Sequence, residues 1–248
     1  MAAGLLAITG CNPAPADKQA TPDAAKPALG LMTSLPLYWG EGAELADLAA
    51  GRAVVPWQRQ TLETRYALVP LDTLTPIPAL SPDAPEVDPL ARIARLAVIQ
   101  PRGLSPADNV ALDRWVRSGG RLLLVLDPAL TGDYDIPLGD PRRPVDSALI
   151  PPVVARWGLA VSFDEAQAPA VTNVKLTGAA LPVALAGRVT ITDPAAAGCT
   201  LMAGGSAAMC RLGKGQVTLI ADAALFEHPE LAGEGGAGLV AVLAATLE

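Results

Sequence analysis

One histidine, His228, in 248 residues leaves the chain poorly equipped for metal or acid–base chemistry. The three cysteines have neither C-x-x-C spacing nor a nearby histidine partner, so no structural or catalytic zinc and no other cofactor is expected. No G-x-x-x-x-G-K-[ST] loop occurs, and no G-x-G-x-x-G follows a strand pattern, which removes the usual phosphate cradles. Gly213, Lys214 and Gly215 precede an apolar run rather than a helix and read as a tight turn. G-x-S-x-G and G-x-C-x-G are absent too. After the central apolar run 122–126, where a strained nucleophile elbow would sit, the chain reads Asp127, Pro128, Ala129, Leu130. Charged residues are only 17% and the net charge is −7, so no basic field is present to hold nucleic acid.

The N-terminus is apolar but far shorter than the roughly 20 residues a membrane span needs. Ile8, Thr9, Gly10 and Cys11 resemble the lipobox of bacterial lipoproteins, in which the signal is cleaved before a cysteine that then carries lipid. The segment departs from a complete signal in having no Lys or Arg before the apolar run. The resemblance implies lipid attachment at Cys11 and a place on the periplasmic face of a bacterial membrane, or secretion if the lipobox is not used. The other reading is an apolar N-terminus with an incidental cysteine. Residues 12–28 are mostly Pro, Ala, Asp and Lys without apolar periodicity and read as a semi-extended tether.

From residue 29 to 248 the pattern is α/β. Short apolar runs at 31–35, 67–71, 96–99, 122–126 and 217–221 alternate with helical patterns, as βα units feeding a largely parallel sheet do. Runs apolar at nearly every position suit strands covered on both faces. The clearest helix is 105–118, with Ser105 as cap, Pro106 in the first turn, Asp108 three residues on, and Gly119-Gly120 as the stop. Further helices are expected at 44–50, 57–66, 147–157 and 236–247. Two long Pro-rich connections, 72–89 and 127–146, are of a length that is usually functional or disordered. Residues 169–211 read as β-hairpins, forming an insertion or small subdomain.

The stretch 118–127, preceded by Leu112, Trp115 and Val116, and the stretch 213–226 together resemble a family. It comprises the glutamine-amidotransferase-like domains of gliding-motility-type ABC-transport accessory proteins and of an intraflagellar-transport protein. The shared pattern is a helix ending in W-V-x-x-G-G, a buried strand, and a later G-K-G-x-V strand ending in Asp. The resemblance implies a flavodoxin-like sheet and a binding or assembly role without amidotransferase activity. Phe226 to Glu230 is also similar to the F-H-P-E segment that carries the catalytic His and Glu of true class I glutamine amidotransferases. Here Glu227 intervenes, and neither Cys199 nor Cys210 lies in an elbow pattern. His228 and Glu230 therefore define an alternative, a degenerate hydrolase or amidotransferase, beside that of a surface histidine before Pro229.

Position supplies the remaining candidates. In open α/β sheets ligands sit beyond the C-terminal strand ends, which directs Ser34, Asp127 and Asp222 toward one crevice. The other reading of both aspartates is as caps of the turns that follow them. Trp39, after the first strand, is placed to stack a sugar or to pack a loop. Gly204-Gly205 suits a two-residue hairpin turn; counting outward, Cys199 faces Cys210, at a separation a disulfide can span. Two free thiols are the alternative. The function these readings favour is a non-catalytic, envelope-anchored domain accessory to an ABC-type export or envelope system, binding a protein partner or a polar small ligand.

Overall fold

The computed structural model describes residues 26–248 except 80 and 82, so Cys11, the lipobox and most of the tether lie outside the described residues. In chain order the strands and helices begin with β1 (Ala28–Thr33), α1 (Leu45–Ala49), α2 (Trp57–Glu63), β2 (Ala67–Pro70), β3 (Arg95–Ile99), α3 (Pro106–Ser118), β4 (Arg121–Val125) and α4 (Pro152–Arg156). There follow β5 (Leu159–Ser162), β6 (Thr172–Leu176), β7 (Ala179–Val183), β8 (Arg188–Ile191), β9 (Gly198–Met202), β10 (Ala207–Leu212), β11 (Gly215–Ile220), α5 (Ala224–Glu227) and α6 (Ala237–Leu247). A seven-stranded sheet runs in the order β2-β1-β3-β4-β11-β10-β9, parallel from β2 to β11, with β10 and β9 antiparallel at one edge. This is the flavodoxin-like order, extended by a hairpin. No helix among the described residues is long and apolar enough to cross a membrane.

The near-continuous apolar strands are explained by cover on both faces. Side chains alternate along a strand, so Leu96 and Val98 of β3 join Leu122 and Leu124 of β4 in a layer with Trp115, Val116, Val154 and Trp157 of the α3–α4 side. Ala97, Ile99, Leu123 and Val125 face the opposite layer, completed by Leu62, Leu239, Val242 and Leu243 from α2 and α6. A sheet buried this way meets ligands at its strand ends rather than across its faces.

Helix α3 starts as its sequence requires. The Ser105 hydroxyl accepts from Asp108 N (3.0 Å) while Asp108 Oδ2 accepts from Ser105 N (3.1 Å). The other oxygen of Asp108 accepts from Leu74 N (2.8 Å) and the Thr73 hydroxyl (2.9 Å), which ties the Pro-rich 72–89 segment to the helix. The two stretches that carry the family resemblance touch each other. A Cβ on Gly120 would stand 2.5 Å from the Trp115 ring, and one on Gly215 would overlap the carbonyls of Val116 and Gly120. Lys214 N donates to Arg117 O (3.0 Å) and Gln216 N to Gly120 O (3.1 Å). These glycines make a packing joint between the end of α3 and the β10–β11 turn.

Several expected boundaries shift. The helix expected at 147–157 is confined to Pro152–Arg156, because the residue before each of Pro151 and Pro152 is pushed out of the helical region. The first strand begins at Ala28, inside the expected tether, and reaches only Thr33. Residues 169–211 are not one unit: β6 and β7 form a hairpin over the α6 side, β8 pairs with β5, and β9 and β10 extend the main sheet. In the last pair Ser206 N donates to Ala203 O (3.2 Å) across Gly204 and Gly205, both at positive φ. The register places Cys199 opposite Cys210, and the two are joined, S–S 2.00 Å.

Candidate ligand-binding cleft

The chain leaves β1 for β2 on one side and then crosses to β3 on the other, so the sheet order reverses between β1 and β3. Gln100, just after β3, plugs this point. Its backbone is left-handed (φ 45°) and its side chain is fully buried. The amide donates to Asp127 O (3.0 Å) and Val145 O (2.8 Å) and accepts from Asp127 N (2.8 Å). Ser34 closes the same plug: its hydroxyl donates to Gln100 O (2.5 Å) and accepts from Val145 N (3.2 Å). Ser34 is thus a buried fastener whose hydrogen bonds are satisfied.

With the crevice between β1, β3 and β4 filled, the open space lies over the ends of β1 and β2, a cleft of about 470 Å³. Leu35, Tyr38, Trp39, Glu41, Asp72 and Arg102 line it, and the 127–146 loop supplies the far wall through Ile136, Arg142 and Pro144. Trp39 is 50% exposed, edge-on to Tyr38 with ring centroids 4.7 Å apart. The Arg59 guanidinium lies 4.1 Å from the Tyr38 ring centroid and 5.5 Å from that of Trp39. The long loop is braced from within, where Arg143 donates to the carbonyls of Tyr134 (2.9 Å) and Ile136 (2.6 Å) and pairs with Asp146 (2.9 Å). Outside the loop, Glu227 accepts from Thr131 N (3.1 Å), Gly132 N (3.0 Å) and the Tyr134 hydroxyl (2.7 Å).

Asp127 and Asp222 do lie together, but they do not face a crevice as expected. Both are buried, and every carboxylate oxygen accepts a backbone N–H. Asp127 takes those of Ala129 (2.8 Å) and Ala223 (2.7 Å); Asp222 takes those of Ala184 (2.7 Å) and Ala224 (2.9 Å). They lock the strand ends of β4, β7 and β11 to one another. Burial pushes Asp127 up to about 7 despite those two donors, and burial together with the neighbouring Asp127 charge pushes Asp222 up to about 8. Among the described residues no group of three or more His, Cys, Asp or Glu side chains is arranged to hold a metal ion.

His228 follows α5 beside a second cleft of about 410 Å³ shared with Leu130, Thr131, Leu185 and Glu230. Its Nε2 is 3.0 Å from the Thr131 hydroxyl and its Nδ1 is 3.4 Å from Glu230 Oε1. The same hydroxyl lies 3.3 Å from Glu227 Oε2. The hydroxyl has two acceptors in reach, Glu227 Oε2 and Nε2, and an imidazole whose Nδ1–H points to the Glu230 carboxylate leaves Nε2 free to accept.

Sequence reading missed Gln100, Arg59, Thr131, Glu227 and Arg143. The length of the 127–146 connection was the only signal pointing to Thr131 and Arg143, and Glu227 stood out only as the residue between Phe226 and His228.

No protein-family model and no curated protein matches the sequence. Among solved structures, an exo-β-1,4-mannosidase from Opitutaceae bacterium strain TAV5 is similar at a TM-score of 0.51 and 13% identity, over 90% of this chain and 36% of that one. The N-terminal domain of mmIFT52 is similar at 0.49 and 12% identity, over 90% of this chain and 97% of that domain. A β-galactosidase from Rahnella sp. R3 follows at 0.46 and 12%, over 89% and 31%. The chain thus spans about a third of the two glycosidases. Likeness at such identities is one of fold, an α/β sheet flanked by helices, and extends to no activity.

Proposed function

We propose that the chain is a non-catalytic binding domain, held through Cys11 at the periplasmic face of a bacterial membrane, accessory to an ABC-type export or envelope system. Its partner or polar ligand enters the cleft beside Trp39. The carrying observation is a contrast at one edge of the sheet: the acidic strand ends Asp127 and Asp222 are saturated by backbone donors, while the cleft beside them is open and aromatic. The lipobox and tether support the location, and the family resemblance supports the accessory role. The test is fractionation of tagged protein from a Gram-negative host followed by detergent extraction and co-purification. The native chain is expected in the membrane fraction with transport subunits, Cys11→Ser in the soluble fraction, and Trp39→Ala in the membrane without its partner. A native chain that is cytosolic and co-purifies with nothing refutes the proposal.

A second reading, a hydrolase, draws on the Thr131–His228–Glu230 alignment beside its own cleft. Against it, the Glu227 carboxylate also lies 3.3 Å from the Thr131 hydroxyl and competes for its proton. Hydrolysis of p-nitrophenyl acetate that disappears in both Thr131→Val and His228→Ala, with folding retained, would establish it over the binding reading.

A further inference from the structure

We propose that the Trp39 cleft binds carbohydrate, with the indole as stacking platform and Glu41, Asp72 and Arg102 holding the sugar hydroxyls. The inference rests on the binding reading above and narrows its ligand.

The platform is built before any ligand arrives. Half of Trp39 is open to water, although the indole is fixed edge-on by Tyr38, and Tyr38 is backed by Arg59. Arg59 is itself held by Glu63 (2.8 Å) across one helical turn of α2 and by the carbonyl of Tyr38 (3.5 Å). A ring flanked by Tyr38 and Arg59 loses less rotamer freedom on binding than a free one, and its exposed apolar face is stabilised by whatever covers it. The ring face of a pyranose is a flat array of C–H groups with polar groups around the rim. It meets an aromatic face with its apolar side and leaves its hydroxyls pointing outward.

The rim of the cleft matches that outward shell. Glu41, Asp72 and Arg102 are exposed at its mouth, and among the described residues none of the three is held by a salt bridge or side-chain hydrogen bond. A carboxylate offers two acceptor oxygens to neighbouring hydroxyls, and a guanidinium offers paired donors. Two carboxylates at the mouth oppose a phosphate or other anion, and the other nearby cation, Arg142, is already engaged by Asp140 (3.0 Å) and Glu44 (3.7 Å). Uncommitted charge of both signs equally opposes a wholly apolar ligand. A hydroxyl-rich neutral molecule meets both conditions and suits the aromatic face, and about 470 Å³ is within the range of small-molecule sites.

The test titrates the full chain with maltotriose, cellotriose, mannotriose and chitotriose to about 10 mM, a range that captures millimolar affinities. Tryptophan emission and isothermal calorimetry supply the readouts. At least one trisaccharide is expected to bind saturably. Trp39→Ala should abolish that binding, Trp39→Phe should retain it within about tenfold, and Glu41→Gln with Asp72→Asn should weaken it about tenfold or more, all with unchanged circular dichroism. Saturable binding that survives Trp39→Ala overturns the inference, as does failure of all four sugars to bind. If no sugar binds but Trp39→Ala still removes the envelope partner, the carbohydrate assignment falls and the binding reading stands. If Trp39→Ala changes neither, both fall.

Discussion

Raising the pH should unfold this protein more easily, the reverse of what well-paired carboxylates give, because of Asp127 and Asp222. A carboxyl raised from its ordinary 3.8 to about 7 or 8 binds its proton more tightly in the folded chain than in the unfolded one. Between about pH 4 and pH 8 the folded state therefore carries the extra proton, and stability falls as pH rises through that window. One such group corresponds to roughly 4 kcal/mol across the window. The two side chains repel each other and share Glu227 as a further negative neighbour, so ionising one keeps the other protonated. The unfolded chain ionises both near pH 4 while the folded chain keeps both protonated, so the two contributions add and the pair loses more than either group alone. Exposed acidic pairs such as Asp47 with Arg52 act in the opposite sense, but contribute little in solvent. The assay is urea unfolding at half-unit steps from pH 5 to pH 8.5 at fixed ionic strength. Asp222→Asn keeps one acceptor and loses the other, so at pH 5 it should be less stable by about 1–3 kcal/mol. Its pH slope should be shallower, so that the two curves converge near pH 8. A native chain whose stability is flat or rises over this range would refute the reasoning.

Replacing both Cys199 and Cys210 by serine should lower stability by about 2–3 kcal/mol, the expected size for so short a closed loop, measured by urea unfolding without reductant. Gly215→Ala should cost more than about 2 kcal/mol, since its Cβ meets backbone carbonyls that no rotamer change relieves; comparison with Gly198→Ala, where nothing lies within 4 Å, checks this by thermal melting. His228→Ala should leave ligand and partner binding at the Trp39 cleft unchanged. Glu227→Gln should raise the protease sensitivity of the 127–146 loop, read by limited proteolysis.

The layered core was legible because each strand is apolar at consecutive positions, as in residues 122–126, and because Ser105, Pro106 and Gly119 mark both ends of α3 with local chemistry. The pairing of Cys199 with Cys210 was legible for a similar reason, since two adjacent glycines fix a short register. The site was legible only in outline. Strand-end position brought Ser34, Asp127, Asp222 and Trp39 to one edge, but which of them are sealed depends on contacts between residues far apart in the chain. Gln100 sits 27 residues from the Asp127 backbone it binds, and the donors that close Asp222 come from Ala184, 38 residues away, as well as from Ala224. Nothing in a polar residue after an apolar run distinguishes a sealed carboxylate from an open one. Helix 147–157 failed for a local reason that was on the page, the Pro151-Pro152 pair.

Strand β1 enters the sheet at the edge opposite the cleft, and its six residues span about 20 Å of parallel strand. In the anchored chain proposed above, the tether therefore meets the domain at its base and the Trp39 mouth opens at the top, facing away from the lipid. On that proposal the mouth is turned toward polymers or protein segments lying beyond the headgroups.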